Sequence, residues 1–127
     1  MNVRVLLVDV EDEARAGLAQ RLRRIEGIEL VGAARDTPEA ARLLLEAKEV
    51  DVVLVDVHHA DGSEVALCQE LRALVSSPLV ALASFMTPER WKPLERAGVN
   101  DCLLKHVDTD RLGRELLQVR EQYGAKA

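Results

Sequence analysis

The chain has 127 residues and a formal net charge of −5; 48% of its residues are hydrophobic and only 2% are aromatic. This size suits a single domain over residues 1–127 with a core of its own, and the hydrophobic content excludes a disordered chain. The scarcity of aromatic side chains excludes a stacking platform for single-stranded nucleic acid, and no basic stripe could follow a phosphate backbone. No apolar run reaches the roughly 18 residues of a membrane span, and no signal-peptide pattern opens the chain, so we expect a cytoplasmic protein without membrane contact.

Strand-like and helical patterns alternate from the start of the chain. Residues 3–9 form a continuous apolar run that closes on an acid, as expected of a strand covered on both faces. The helical pattern that follows carries a basic cluster at residues 21–24, which we interpret as a solvated helix face. Ile28–Ala34 is predicted to be the second strand, and Thr37 followed by Pro38 predicts the capped start of a second helix.

The second half of the chain repeats the alternation three times. Strands are predicted at residues 51–56, 78–84 and 100–105. The helices after them are marked by apolar residues at helical spacing, namely Leu67, Leu71 and Leu74, then Trp91, Leu94 and Ala97, and finally Leu112, Leu116 and Val119. Strands regularly separated by helices predict a parallel sheet, and strands that are apolar on both sides need helices on both faces. We therefore predict an α/β doubly wound, three-layer sandwich.

Three charged residues stand at the ends of predicted strands. Asp9 ends the first, Asp56 the third and Lys105 the fifth. Each could be a solvated side chain at a turn, and Asp9 could also cap the first helix. Because open α/β sheets bind ligands at the carboxyl ends of their strands, the combination favours one shared polar pocket.

The stretches VRVLLVD, DVVLVDVHHADGSEV and AGVNDCLLK resemble, in order and spacing, the signature stretches of response-regulator receiver domains, the phosphoryl-accepting part of two-component systems. The resemblance covers essentially the whole chain. It implies a flavodoxin-like sheet of five strands in the order 2-1-3-4-5 with five helices. It also implies that Asp56 accepts a phosphoryl group from a histidine kinase or phosphotransfer protein and that Lys105 stabilises charge on the phosphoryl oxygens. Mg²⁺ would be bound by Asp9, Asp56 and the main-chain carbonyl of His58.

Two departures from the family pattern concern the metal and the switch. Val10 stands where the family has a second acid, so we expect weak Mg²⁺ binding unless Glu11 or Asp12 replaces that acid. The strand-four position that usually carries Thr or Ser falls on Ala83, with Ser84 next to it, and the aromatic switch position of strand five falls on Cys102. We interpret the side chains of His58 and His59 as exposed, and Cys68 and Cys102 as free thiols.

Three classes of function remain open. The first is a phosphorylatable receiver that switches a protein-binding face around the fourth helix, fifth strand and fifth helix (Trp91, Cys102, His106, Arg111). At most it would catalyse its own phosphorylation and dephosphorylation. The second is a pseudo-receiver that binds proteins without phosphorylation, and the third is unrelated chemistry on the same fold. No DNA-binding segment follows the last predicted helix, so we expect signalling through another protein and no direct contact with nucleic acid.

Overall fold

A computed structural model describes residues 2–47, 49–59 and 62–124. Within these residues the predicted alternation of five strands and five helices is confirmed. The strands are β1 (Val3–Val8), β2 (Ile28–Ala34), β3 (Val52–Asp56), β4 (Leu79–Ala83) and β5 (Asp101–Leu104). The helices are α1 (Asp12–Arg23), α2 (Thr37–Glu46), α3 (Ser63–Leu74), α4 (Pro88–Arg96) and α5 (Thr109–Tyr123). None of the helices in the described part of the chain has the length and apolar character needed to cross a membrane.

The five strands form one parallel sheet in the order β2-β1-β3-β4-β5, as predicted. β1 lies between β2 and β3, and β4 lies between β3 and β5. Because all strands point the same way, the residues that follow β1, end β3 and follow β5 meet at one edge of the sheet. This carboxyl edge carries Asp9, Asp56 and Lys105.

Alternate residues of each strand pack against opposite helical layers, which explains why the strands are apolar throughout. Val5 and Leu7 of β1 belong to one core, which includes residues of α1 and α5. Leu6 and Val8 belong to the other, which includes residues of α2, α3 and α4. Each fully buried Val or Leu side chain contributes about 1.5–3 kcal/mol to folding. Trp91, partly buried, packs against the second core as its helical spacing predicted.

The helices after β2 and β4 begin with side-chain caps. Thr87 accepts a hydrogen bond from the Arg90 amide at 3.2 Å, so the predicted cap of α4 is confirmed. The predicted cap of α2 is wrong by one residue. Asp36 caps that helix by accepting from the Glu39 amide at 2.9 Å, because its carboxylate is a stronger acceptor than a hydroxyl.

Candidate functional site

Asp56 and Lys105 are in direct contact at the carboxyl edge of the sheet. Asp56 ends β3 and only 2% of the residue is exposed. Lys105 follows β5, and its amide donates to the Ala83 carbonyl at 2.8 Å, so β4 helps to set its position. Its Nζ lies 2.6 Å from Asp56 Oδ1. Apart from this ammonium, Oδ1 has no hydrogen-bond partner among the described residues. The two groups predicted to share a pocket therefore form a short ion pair.

Arg21 of α1 supports the segment that carries Lys105. Its guanidinium donates to the Lys105 carbonyl at 2.6 Å and also to the Val107 carbonyl. The interpretation of residues 21–24 as a solvated face is therefore wrong for Arg21. These carbonyl acceptors lie more than 80 positions away in the chain and carry no side-chain signal, so nothing in the sequence marked the interaction.

His58 lies between the two buried acids. Its Nε2 is 2.7 Å from Asp9 Oδ1 and 3.6 Å from Asp56 Oδ2. Only 14% of its side chain is exposed, whereas the side chain of His59 is half-exposed. The expectation that both histidines are exposed is wrong for His58, because the two carboxylates attract its imidazole into the pocket.

Asp9 has one oxygen in use and one that is free. Oδ1 also accepts from the Glu11 amide at 3.0 Å, which stabilises the turn into α1. The N-cap position of that helix is Glu11, whose side chain makes no capping hydrogen bond, so the suggestion that Asp9 is the N-cap residue is wrong. The other oxygen, Oδ2, is buried and has no hydrogen-bond partner among the described residues. A buried carboxylate oxygen without a partner is costly, and a bound cation would remove that cost.

The cluster has a donor set that fits a divalent cation. One ligand atom each from Asp9, Asp56 and His58 lie within 4.8 Å of one another. The third donor in this set is the imidazole of His58, whereas the family resemblance implied its main-chain carbonyl. Val10 is 45% exposed and, being apolar, offers no ligand in place of the missing acid.

The two acids considered as replacements for that acid have other partners. Glu11 Oε1 lies 3.7 Å from Nε2 of His59. Asp12 Oδ1 lies 2.8 Å from the guanidinium of Arg15, one turn along α1. Both acids are exposed at the start of α1, and neither belongs to the cluster of Asp9, Asp56 and His58.

The electrostatics of the pocket disfavour the charged form of Asp56. Burial raises the pKa of its carboxyl above the ordinary value of 3.8. The hydrogen bond and positive charge of Lys105 lower that pKa, Asp9 raises it further and His58 lowers it. Because the net direction is upward, desolvation outweighs the stabilisation that the neighbouring cations provide.

The positions next to the pocket lack the usual hydroxyl and aromatic side chains. Ala83 ends β4 and is fully buried. Ser84 follows it, exposed, with Oγ 3.3 Å from His106 Nε2. Cys102 of β5 packs, partly buried, against the second core, and burial raises the pKa of its thiol to about 11. The Ser84 hydroxyl, which is the one next to Ala83 in the sequence, thus contacts His106, which lies outside the cluster of Asp9, Asp56 and His58.

Two charged residues brace the loop between β3 and α3, and sequence reasoning missed both. Glu64, 4% exposed, accepts from the His58 amide at 2.5 Å and from the His59 amide at 3.1 Å. Arg90 of α4 donates to the carbonyls of Val57 and His59, each at 3.1 Å. The loop that carries His58 is therefore held from both α3 and α4.

Comparison of the sequence with those of known proteins identifies relatives of the chain. The chain is 37% identical to the transcriptional regulatory protein LiaR of Bacillus subtilis over 105 residues, which are 81% of this chain and 49% of LiaR. It is 30% identical to CitT of the same organism over 115 residues, which are 88% of this chain and 50% of CitT. The chain thus spans about half the length of these curated relatives.

Solved receiver domains share the fold. The signal receiver domain of NarL from Mycobacterium tuberculosis superposes with a TM-score of 0.74 at 20% identity, over 95% of this chain and 98% of that one. A LuxR-family response regulator from Aurantimonas has a TM-score of 0.75 at 20% identity, over 95% of this chain and 86% of that one. The family description "Response regulator receiver domain" matches residues 5–117. The chain therefore belongs to the response regulator receiver domain family of two-component signalling.

Proposed function

We propose that Asp56 accepts a phosphoryl group from the phosphohistidine of a histidine kinase or phosphotransfer protein. The observation that carries this proposal is the 2.6 Å contact between Lys105 Nζ and Asp56 Oδ1. A lysine on one strand end that reaches the acid of another is the arrangement needed where an anionic nucleophile must meet an anionic phosphoryl group.

The transfer replaces one bond to phosphorus with another. A carboxylate oxygen of Asp56 attacks, an O–P bond forms, the N–P bond to the donor histidine breaks and its electron pair returns to the imidazole nitrogen. Lys105 offsets the negative charge that the phosphoryl oxygens bring into the pocket. Because Ala83 and Arg21 hold the Lys105 backbone, the ammonium is positioned before the donor arrives, so little reorganisation is needed during the reaction.

Receiver domains generally bind Mg²⁺ through acidic residues, and we propose that Asp9, Asp56 and the main-chain carbonyl of His58 do so in this chain. A bound Mg²⁺ neutralises charge on the transferring group. The unpartnered Oδ2 of Asp9 supports the placement. We propose that the binding is weak, because Val10 supplies no third carboxylate.

The output of the switch is proposed to be a protein contact through the face formed by α4, β5 and α5 (Trp91, Cys102, His106 and Arg111). Phe85 and Leu104, exposed large hydrophobic residues near this face, support such a contact. We further propose that residues 1–127 act as one domain in the cytoplasm, and that this domain does not itself bind nucleic acid.

A second candidate function is a pseudo-receiver that binds its partner without phosphorylation. The observation that favours it is the absence of a hydroxyl at Ala83, together with the Ser84 contact to His106. Without a hydroxyl on the phosphoryl group, the phosphorylated state has one contact fewer with which to bias α4.

Intact-mass analysis distinguishes the two. Wild type, Asp56→Asn and Asp12→Asn would be incubated with a small phosphodonor and Mg²⁺. Asp12 is an exposed acid at the same edge of the sheet and serves as the control. A single added phosphoryl group in wild type and Asp12→Asn, absent from Asp56→Asn, supports the phosphorylatable receiver. Wild type that gains no mass with any divalent ion present supports the pseudo-receiver.

A further inference from the structure

We propose that the imidazole of His58 makes this site selective for an imidazole-binding divalent ion of the Zn²⁺ class over Mg²⁺. The proposal shares with the proposed function the position of the metal beside Asp56, but it does not require phosphoryl transfer. It starts from the two carboxylates and one imidazole nitrogen whose donor atoms converge within 4.8 Å.

The distance between the His58 imidazole and the Asp56 carboxylate suits two ligands of one ion. An ion with bonds of about 2.1 Å to tetrahedral nitrogen and oxygen ligands separates those ligand atoms by roughly 3.4 Å. Nε2 of His58 lies 3.6 Å from Asp56 Oδ2, close to that value, and 2.7 Å from Asp9 Oδ1, with which it shares a hydrogen bond. To bind an ion, the imidazole would exchange this hydrogen bond for a bond to the metal, while the ion takes the other oxygen of Asp9, Oδ2.

Asp9 gives an independent sign that a cation belongs here. The residue is completely buried, and its Oδ2 has no hydrogen-bond partner in the described part of the chain. Oδ1 of the same carboxylate is already occupied by His58 and the Glu11 amide. A cation at Oδ2 would satisfy the one oxygen of this residue that the protein leaves bare.

The chemistry of the donors decides which cation is preferred. Mg²⁺ takes oxygen ligands in an octahedron and gives up its waters reluctantly, so it gains little from an imidazole and loses an acid at Val10. Zn²⁺ and its neighbours bind imidazole nitrogen together with carboxylate oxygen, and three protein ligands with an open position are a common arrangement for them. The replacement of oxygen by nitrogen in the cluster thus shifts preference away from Mg²⁺.

The backbone that carries the imidazole is held in place before any ion arrives. Glu64 binds the backbone amide of His58 at 2.5 Å, and Arg90 binds the carbonyls on either side, those of Val57 and His59. Little backbone freedom then remains to be lost when the nitrogen becomes a ligand, and preorganised ligands bind more tightly.

Calorimetric titration of untagged, unphosphorylated protein with Zn²⁺ and with Mg²⁺ tests the proposal. His58→Asn removes the imidazole but keeps the main-chain carbonyl, and His59→Asn is the matched control because His59 lies next in the chain with its side chain half-exposed. We expect His58→Asn to weaken Zn²⁺ binding by at least about tenfold, since even the partners of metal ligands contribute 10–100-fold. Mg²⁺ affinity should not fall, and His59→Asn should change neither ion's affinity.

A measurement on wild type covers the case in which a variant misfolds. In ¹⁵N NMR of the histidine rings, Zn²⁺ should shift the Nε2 resonance of His58 and leave His59 and His106 unaltered, whereas Mg²⁺ should shift none of them. The proposal is overturned if Zn²⁺ fails to bind, if His59→Asn weakens Zn²⁺ as much as His58→Asn does, or if His58→Asn weakens both ions equally. A wild type that binds Zn²⁺ through His58 but is never phosphorylated would overturn the proposed function and leave this inference intact. A wild type that is phosphorylated on Asp56 but does not bind Zn²⁺ through His58 would overturn this inference and leave the proposed function intact.

Discussion

Replacing Glu64 by alanine should destabilise the protein, because this buried side chain at the start of α3 holds the backbone of the β3–α3 loop. The wild-type carboxylate is buried and accepts from two backbone amides, those of His58 at 2.5 Å and His59 at 3.1 Å. Hydrogen bonds to a charged group contribute about 1.5–3 kcal/mol each, but the freed amides of a loop regain part of this by binding water. We therefore expect a loss of about 2–4 kcal/mol in the free energy of unfolding.

Urea unfolding followed by circular dichroism measures this loss. Glu70→Ala is the control, because Glu70 is an exposed acid on the same helix whose carboxylate accepts a side-chain hydrogen bond from Thr37. Its unfolding free energy should fall by no more than about 1 kcal/mol. Glu64→Gln should lie between wild type and Glu64→Ala, since it keeps one acceptor oxygen without the charge. Equal urea midpoints for Glu64→Ala and wild type would refute the assigned role of this carboxylate.

Three further predictions concern the charged pocket and the thiols. Because burial raises the pKa of Asp56 above 3.8, the native state holds its proton more tightly than the unfolded state, and the stability that this provides is present below pH 3.8 and lost as pH rises through the native pKa. The melting temperature of Asp56→Asn minus that of wild type should therefore increase from acidic to neutral pH. A difference in melting temperature that is the same at both pH values would contradict this prediction. Val10→Asp should tighten Mg²⁺ binding by about tenfold in calorimetric titration by adding a carboxylate, and unchanged affinity would count against the assigned metal position. Burial raises the pKa of Cys68 to about 12 and that of Cys102 to about 11, so both should react with a thiol reagent far more slowly in native than in urea-unfolded protein at neutral pH; equal rates would argue against that burial.

The fold was predictable because its signals are periodic and local. Strands that are apolar on both faces, such as Val52–Asp56, predict a sheet covered by helices on both sides. Their regular alternation with helices then favours a parallel arrangement of the strands. The same logic brought Asp9, Asp56 and Lys105 to one edge, since each stands at a strand end.

The rest of the site depends on contacts between a side chain and a distant main chain, which leave no pattern in a sequence. Arg21 binds two carbonyls of the segment after β5, and Arg90 binds two carbonyls of the segment after β3. Any exposed arginine on a helix has the same local surroundings in sequence. The prediction for His58 was wrong for a related reason: its neighbour His59 is half-exposed, and the carboxylates near the His58 imidazole, Asp9 after β1 and Asp56 at the end of β3, are brought there by the fold.

The arginine at the start of α4 also limits how that helix can move. The Arg90 guanidinium donates to the carbonyls of Val57 and His59 in the β3–α3 segment and to the Phe85 carbonyl ahead of its own helix. It also lies over the Phe85 ring, 5.2 Å from the ring centroid. Any slide or rotation of α4 must either carry the peptide units beside Asp56 along with it or break several charge-assisted hydrogen bonds together. Arg90 therefore ties the start of α4 to the backbone of the segment that follows Asp56.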